Sequence, residues 1–247
     1  MKPAVQERRA RRAAFRRMSR RGKLEYLLAY YKLPLALGLG AVLVLASVLA
    51  HAAARREALL YVAYVNVSVG DSLQTRLSEG FVDAAGADPK QYRVYTYTGL
   101  YLSEAPAAEN HAYSYASRLK VLAAVDAKQL DAVLMNREAY DIFSRSGYLL
   151  PLPPLLAEHD PAVYARLAGC LTENDVVLED NALEYRLNEA DSYTEVTERS
   201  LNAIEITDFP LVRDAGFPEA VYLGVIANSE RLPACLAYIE YLRGAGA

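Results

Sequence analysis

LDAVLMNREAYDIFSRSGYLLPL, residues 130–152, is the stretch whose reading decides the fold. Its apolar run Leu130–Met135 predicts a buried strand. Asn136 then stands at a helix N-cap, Glu138 falls in the first turn where a negative charge suits the helix dipole, and Gly147 closes the helix.

The same strand-then-helix rhythm extends upstream. LLYVAYVNV (59–67) is a β-branched and aromatic run followed by SVGDS, which predicts a strand and a turn. Asp71 or Ser72 is placed to cap a helix whose Leu73, Leu77 and Phe81 recur every four residues before Gly86. YRVYTYTGLYL (92–102) predicts a second strand with turn chemistry at Gly99. A helix from about Tyr113 to Lys128 follows, with Ala116, Leu119, Leu122 and Ala123 on its inner face. Three strand–helix pairs predict βαβ units, hence a parallel sheet with right-handed crossovers, covered on both faces because the strands are continuously apolar.

Downstream the pattern weakens. PLPPLL (151–156) holds three prolines in four residues and predicts a break. From 157 to 218 acidic residues dominate, and a smaller, irregular inserted lobe is expected over 154–219. AVYLGVIANS (220–229) predicts a fourth strand. The helix after it is expected to be capped by Ser229, with Leu232, Leu236 and Ile239 inside and Gly244 at its end. The α/β lobe is thus expected over 57–153 with 220–244.

The net charge of -3 conceals an asymmetry. Residues 1–32 carry eleven Lys or Arg and two Glu, a local +9; the rest carries 16 basic and 28 acidic side chains, a balance of -12. Residues 33–54, LPLALGLGAVLVLASVLAHAAA, are 22 positions without a formal charge. As a helix they span roughly 33 Å, enough for a bilayer core, and predict a transmembrane helix. The positive-inside bias puts 1–32 in the cytoplasm and the remainder outside, as a single-pass plasma-membrane protein. Tyr26, Tyr30 and Tyr31 suit the headgroup level. A cleaved signal peptide is the competing reading, since Ala50-His51-Ala52 fits a small-x-small site. The basic run beside the span is read as a topology determinant that attracts anionic lipid, not as a nucleic-acid patch.

Catalytic patterns are missing. The three histidines lie far apart, and no G-x-S-x-G, H-E-x-x-H or P-loop occurs, so a non-catalytic protein without metal or cofactor is expected. The acids between Glu173 and Glu198 predict a solvated surface. Cys170 and Cys235 are open to either a disulfide or two separate thiols. Nineteen tyrosines raise sugar stacking, with Tyr95 and Tyr97 on one strand face, but the lack of Trp weakens a carbohydrate platform.

Residues 121–152 resemble the first-lobe segment of type 2 periplasmic solute-binding proteins, in which a helix leads to an acidic residue, an apolar strand, a helix and a Gly-then-Leu exit. LGVIANSERLPACLAYIEYL (223–242) is similar to the segment that returns to that lobe. The resemblance covers roughly 59–152 and 220–243. It departs from the family in lacking a Gly before Asp131 and in its short insertion, which implies a reduced second lobe.

The resemblance implies a membrane-anchored solute-binding-like protein serving an ABC transporter or a sensor. Its partners would be membrane lipid through the N-terminal helix and a small polar solute or a transporter subunit. Ligands should then meet the carboxyl ends of the strands, at Asn66, Ser68, Asp71, Tyr97, Thr98, Asn136 and Arg137. The alternative is a structural or assembly subunit of a membrane complex that has lost ligand binding.

Overall fold

The computed structural model describes residue 19 and residues 32–53, 56–104, 110–187 and 190–244. The chain divides into two compact units between Arg55 and Arg56.

In the first unit, α1 (Lys32–Ala53) is one helix of 22 residues, on which Leu37, Val42, Leu43, Val44 and Leu45 are all exposed. Side chains are described only at 36–38 and 40–47. Among the described residues, no helix is long and apolar enough to cross a membrane, so the expected span over 33–54 is not borne out there. The basic segment and its tyrosine anchors lie outside the described residues, apart from Ser19 and Lys32.

The second unit is α/β. Its elements are β1 (Glu57–Val65), α2 (Asp71–Ala84), β2 (Tyr92–Leu100), α3 (His111–Asp126), β3 (Ala132–Met135) and α4 (Arg137–Arg145). Then follow α5 (Leu152–His159), α6 (Pro161–Leu167), β4 (Leu171–Asp180), α7 (Ala182–Arg186), β5 (Glu195–Glu205), α8 (Pro210–Arg213), β6 (Tyr222–Val225) and α9 (Leu232–Arg243). The strands form one six-stranded sheet in the order β2-β1-β3-β6-β5-β4.

Only half of the expected parallel sheet is parallel. β1 pairs parallel with β2 and β3, whereas β6, β5 and β4 run antiparallel to their neighbours. The reason lies in the connections: α2 and α3 carry the chain back across the sheet, while β4 and β5 are joined by a short excursion that reverses direction. Residues 154–219 therefore do not stand apart as a lobe. Their two strands extend the sheet, and α5, α6 and α8 pack on one of its faces.

Alternate side chains feed two cores, as the pleat requires. Leu60, Val62, Tyr64, Leu134 and Leu223 meet α2, α5, α6, α8 and α9. Ala63, Val65, Val133, Met135 and Ala203 meet α3 and α4 on the other face. Gly224 makes this second packing possible, because a Cβ there would stand 2.7 Å from Leu149 Cδ2 and 3.0 Å from Met135 Cε. Gly99, at φ +65, sits in the β1–β2 register shift and supplies the left-handed residue that the irregularity needs.

Several local expectations are corrected. The prolines of PLPPLL do not break the chain: Pro153 and Pro154 occupy the first turn of α5, where an N–H has no helical partner in any case. The α2 cap position is Gly70, with no side-chain cap, and Asp71 is the first helical residue. Ser229 does not cap α9, which begins at Leu232; its hydroxyl donates to Asp131 Oδ1 and accepts from the Arg231 N–H.

Helix α3 turns the opposite way from expectation. It buries Ser114, Ser117, Val121, Ala124 and Val125, while Leu119 and Leu122 are 48% and 40% exposed. The two serines explain the orientation. Ser117 Oγ accepts the Tyr101 N–H at 3.2 Å and Ser114 Oγ accepts the Ser103 N–H at 3.0 Å, so the helix satisfies backbone donors just past β2.

Asp131 is fully buried at the start of β3. Its Oδ2 accepts the Tyr61 N–H at 2.8 Å, and its Oδ1 takes the Ser229 hydroxyl at 2.7 Å and Arg231 Nη1 at 3.5 Å. The β4–β5 hairpin is fastened to α4 by a second polar network. Tyr140 donates from its hydroxyl toward Asn202 Oδ1 and the Thr172 carbonyl, both at 2.9 Å. Asn202 Nδ2 donates to Ser144 Oγ, which donates to the Asp175 carbonyl. Arg145 pairs with Glu195 farther out.

Candidate functional site

The carboxyl ends of the parallel strands face a cavity of about 420 Å³, lined by Asn66, Ser68, Tyr101, Asn136, Glu138, Phe217, Pro218 and Glu219. Strand ends and the loop before β6 build it together. Asn66 ends β1 with φ 57, a left-handed turn that Asn tolerates better than other side chains. Both ends of its amide are engaged: Nδ2 donates to the Leu102 carbonyl at 2.7 Å and Oδ1 accepts the Leu102 N–H at 2.8 Å. That pair imitates a strand ladder and holds the chain leaving β2.

Asn136 caps α4 as the sequence predicts, accepting the Ala139 N–H at 3.1 Å. Its Nδ2 donates to Glu219 Oε2 at 3.1 Å. Glu138 accepts the Ser103 hydroxyl at 2.7 Å. Arg137 turns away from this cavity: Nε pairs with Asp141 at 2.9 Å, one helical turn on, and the guanidinium lies 5.2 Å from the Tyr140 ring centre and 5.9 Å from that of Tyr222. Asp141 also accepts from Asn174 Nδ2.

Of the seven predicted site residues, then, Asn66, Ser68 and Asn136 meet in one cavity. Thr98 lines a neighbouring hollow with Asn66 and Ser68, and Asp71 lines another with Ser68, Arg76 and Phe217. Arg137 does not line any of these hollows. Nor does Tyr97, which packs against the core under α3 and α4; burial, with Tyr61 and Asp131 nearby, raises its phenol pKa. Tyr95 is already engaged in ring contacts within the chain. Arg93 lies 4.1 Å over its ring, and Tyr61 stacks at 5.1 Å with Arg231 beyond it.

Sequence reasoning missed Glu138 as a cavity residue, having assigned it to the helix dipole alone, and missed Phe217–Glu219 altogether. The signal for the latter was the Pro218 turn immediately before the fourth strand. A larger open groove of about 830 Å³ runs between α2 and β2, where Gln74 Nε2 donates to Thr96 Oγ1 at 3.1 Å. It is separate from the strand ends.

The acids of β4 and β5 form ordinary surface pairs, with Arg199 3.1 Å from Glu173 and 3.9 Å from Asp175. Both cysteines are free thiols. Among the described residues, no group of three or more His, Cys, Asp or Glu side chains is placed to hold a metal. Compared with known proteins, the chain matches no family model and no curated relative.

Proposed function

We propose that this is a membrane-anchored, non-catalytic protein whose extracytoplasmic α/β domain, on a type 2 solute-binding-like scaffold, acts as an assembly subunit. The observation that carries this reading is the state of the polar groups at the strand ends. Asn66, Asn136, Glu138 and Glu219 are each engaged with another group of the same chain, whereas a recognition site presents groups that a ligand completes. Among the described residues, the strands that would build a second lobe extend the sheet instead.

Support for the scaffold comes from β6, which returns to pair with β3, and from α9, which packs on β1, α2 and α8. Support for the anchor comes from the uncharged run 33–54, the basic excess before it and the large apolar side chains exposed on α1. Retention in membranes after alkaline carbonate extraction, with an N-terminal tag hidden from the outside of intact cells, is the expected result.

Solute binding is the second reading, favoured by one observation. The strand-end cavity of about 420 Å³ lies within the size range of ligand sites and holds two carboxylates with Ser68 and Tyr101. Thermal-shift screening of the full chain in detergent against amino acids, sugars, oligopeptides and oxyanions separates the two. The assembly reading expects no saturable rise in Tm. A saturable rise abolished by Glu219→Ala would replace it with the solute reading.

A further inference from the structure

Two exposed apolar surfaces remain outside the site just described. The first is the tip of the β4–β5 hairpin. β4 and β5 pair from Leu171–Ile204 out to Asp180–Glu195, but β6 accompanies β5 only at Ala203–Glu205. Most of the hairpin therefore projects past the sheet. At its far end Leu178, Leu183, Tyr185, Leu187, Tyr193 and Val196 are all exposed, the aliphatic ones by more than half. Its root is held to α4 by the Tyr140–Asn202–Ser144 network, and Arg145 pairs with Glu195 at the last paired position, so the free end is the segment beyond Asp180 and Glu195. A fixed root with an apolar free end is the construction of a docking arm.

The second surface is the outward face of α3. Tyr115, Leu119 and Leu122 lie at i, i+4 and i+7, so they form one stripe, directly opposite the buried serines. The stripe is a contiguous apolar surface of the kind that marks a contact with a partner.

Charge says what covers them. Between residues 176 and 198 there are seven acids (Glu179, Asp180, Glu184, Glu189, Asp191, Glu195 and Glu198) against Arg186 alone. Arg118 lies beside the α3 stripe and Lys120 follows Leu119, neither pairing with a carboxylate among the described residues, while the exposed Asp126 ends the stripe, which leaves the face one net positive charge. Tip against tip would bring like charges together, and an anionic lipid surface would repel the tip. Tip against α3 joins apolar to apolar and acid to base.

We propose that the hairpin tip of one copy docks on the outer face of α3 of a second copy, in a head-to-tail contact. The inference rests on the assembly reading and supplies its partner. Because the two patches are different, the contact is heterologous: one copy of the pair keeps its α3 face and the other its tip for further neighbours.

The test is site-directed disulfide trapping in membranes from cells producing two differently tagged copies of the full chain, both carrying Cys170→Ser. One copy carries Leu119→Cys and the other Leu183→Cys. Mild oxidation is expected to give a product bearing both tags, with none from 119 against 119 or 183 against 183. Arg118→Glu with Lys120→Glu should lower the yield about tenfold through like-charge contact. Glu179→Lys, Asp180→Lys and Glu184→Lys on the other copy should restore it.

A 183–183 product equal to the mixed one would overturn the proposal, as would a monomeric mass in detergent with no mixed product. A monomer without solute-induced stabilisation sinks only the self-contact and leaves the assembly reading with a different partner. A monomer stabilised by a solute sinks both.

Discussion

Asp131 and Tyr61 join two strands twice: the Asp131 N–H donates to the Tyr61 carbonyl at 3.0 Å, and the buried Asp131 carboxylate accepts the Tyr61 N–H at 2.8 Å. The same carboxylate receives Ser229 and Arg231 from the segment that leads into α9, so one side chain ties β1, β3 and the last helix together. Removing it leaves the Tyr61 N–H without its acceptor and Arg231 with carbonyl oxygens alone in place of a carboxylate. Asp131→Ala should cost about 3 kcal/mol of stability, with Asp131→Asn in between because one oxygen still accepts; chemical denaturation measures both.

Asn202 holds the hairpin root through both ends of its amide. Asn202→Ala leaves the Tyr140 hydroxyl and Ser144 short of a partner and should cost about 2 kcal/mol. Hydrogen exchange should accelerate along β4 and β5 while β1 and β3 keep their protection. Equal acceleration in all four strands would mean that the hairpin and the sheet open as one unit.

Glu195 makes the hairpin sensitive to acid. Hydrogen bonds from Tyr193 and then Arg145 hold its carboxyl below the ordinary value of 4.5. A depressed carboxylate contributes its stabilisation in full above that value and loses it as pH falls through the folded pKa. Protection factors around residues 193–197, with the intrinsic pH dependence of exchange divided out, should therefore fall at the acid end and stay flat from pH 6 to 8. Glu195→Gln should remove the acid step.

The orientation of α3 gives opposite results for neighbouring residues. Leu119→Ser should change stability by no more than about 0.5 kcal/mol, as surface substitutions do. Val121→Ala should cost about 2 kcal/mol because it empties a packed position. A larger loss at Leu119 would restore the orientation expected from the sequence.

Burial, followed by the Asp131 charge, pushes the Cys235 thiol up to about 12, so it stays protonated at neutral pH. Maleimide at pH 7.5 should modify Cys170 and leave Cys235 untouched until the protein is unfolded. Two thiols should titrate in denaturant without reductant.

How much of this was legible follows from which forces were local. β1, β2, β3 and α4 could be read because their signals lie within a few residues: continuous apolar runs, the Asn136 cap and Gly147. The direction of β4–β6 could not, since it depends on which existing strand edge a later strand reaches. α3 misled for a physical reason. Its leucines obey helical periodicity, but hydrogen bonds from the backbone beyond β2 draw Ser114 and Ser117 inward, and those donors are ten or more residues away in sequence. The site was half legible for the same reason: Asn66, Ser68 and Asn136 stand at strand ends, whereas Glu219 reaches them from the far side of the insertion.

The strand order also sets a timetable. β6 is the sixth strand in the chain, yet it lies in the interior of the sheet, between β3 and β5. Until residues 222–225 emerge during synthesis, β2-β1-β3 and the β4–β5 hairpin are two partial sheets, each with a bare edge waiting for the same strand. A chain stopped before residue 220 would keep both edges open, and one carried through β6 closes both in a single step.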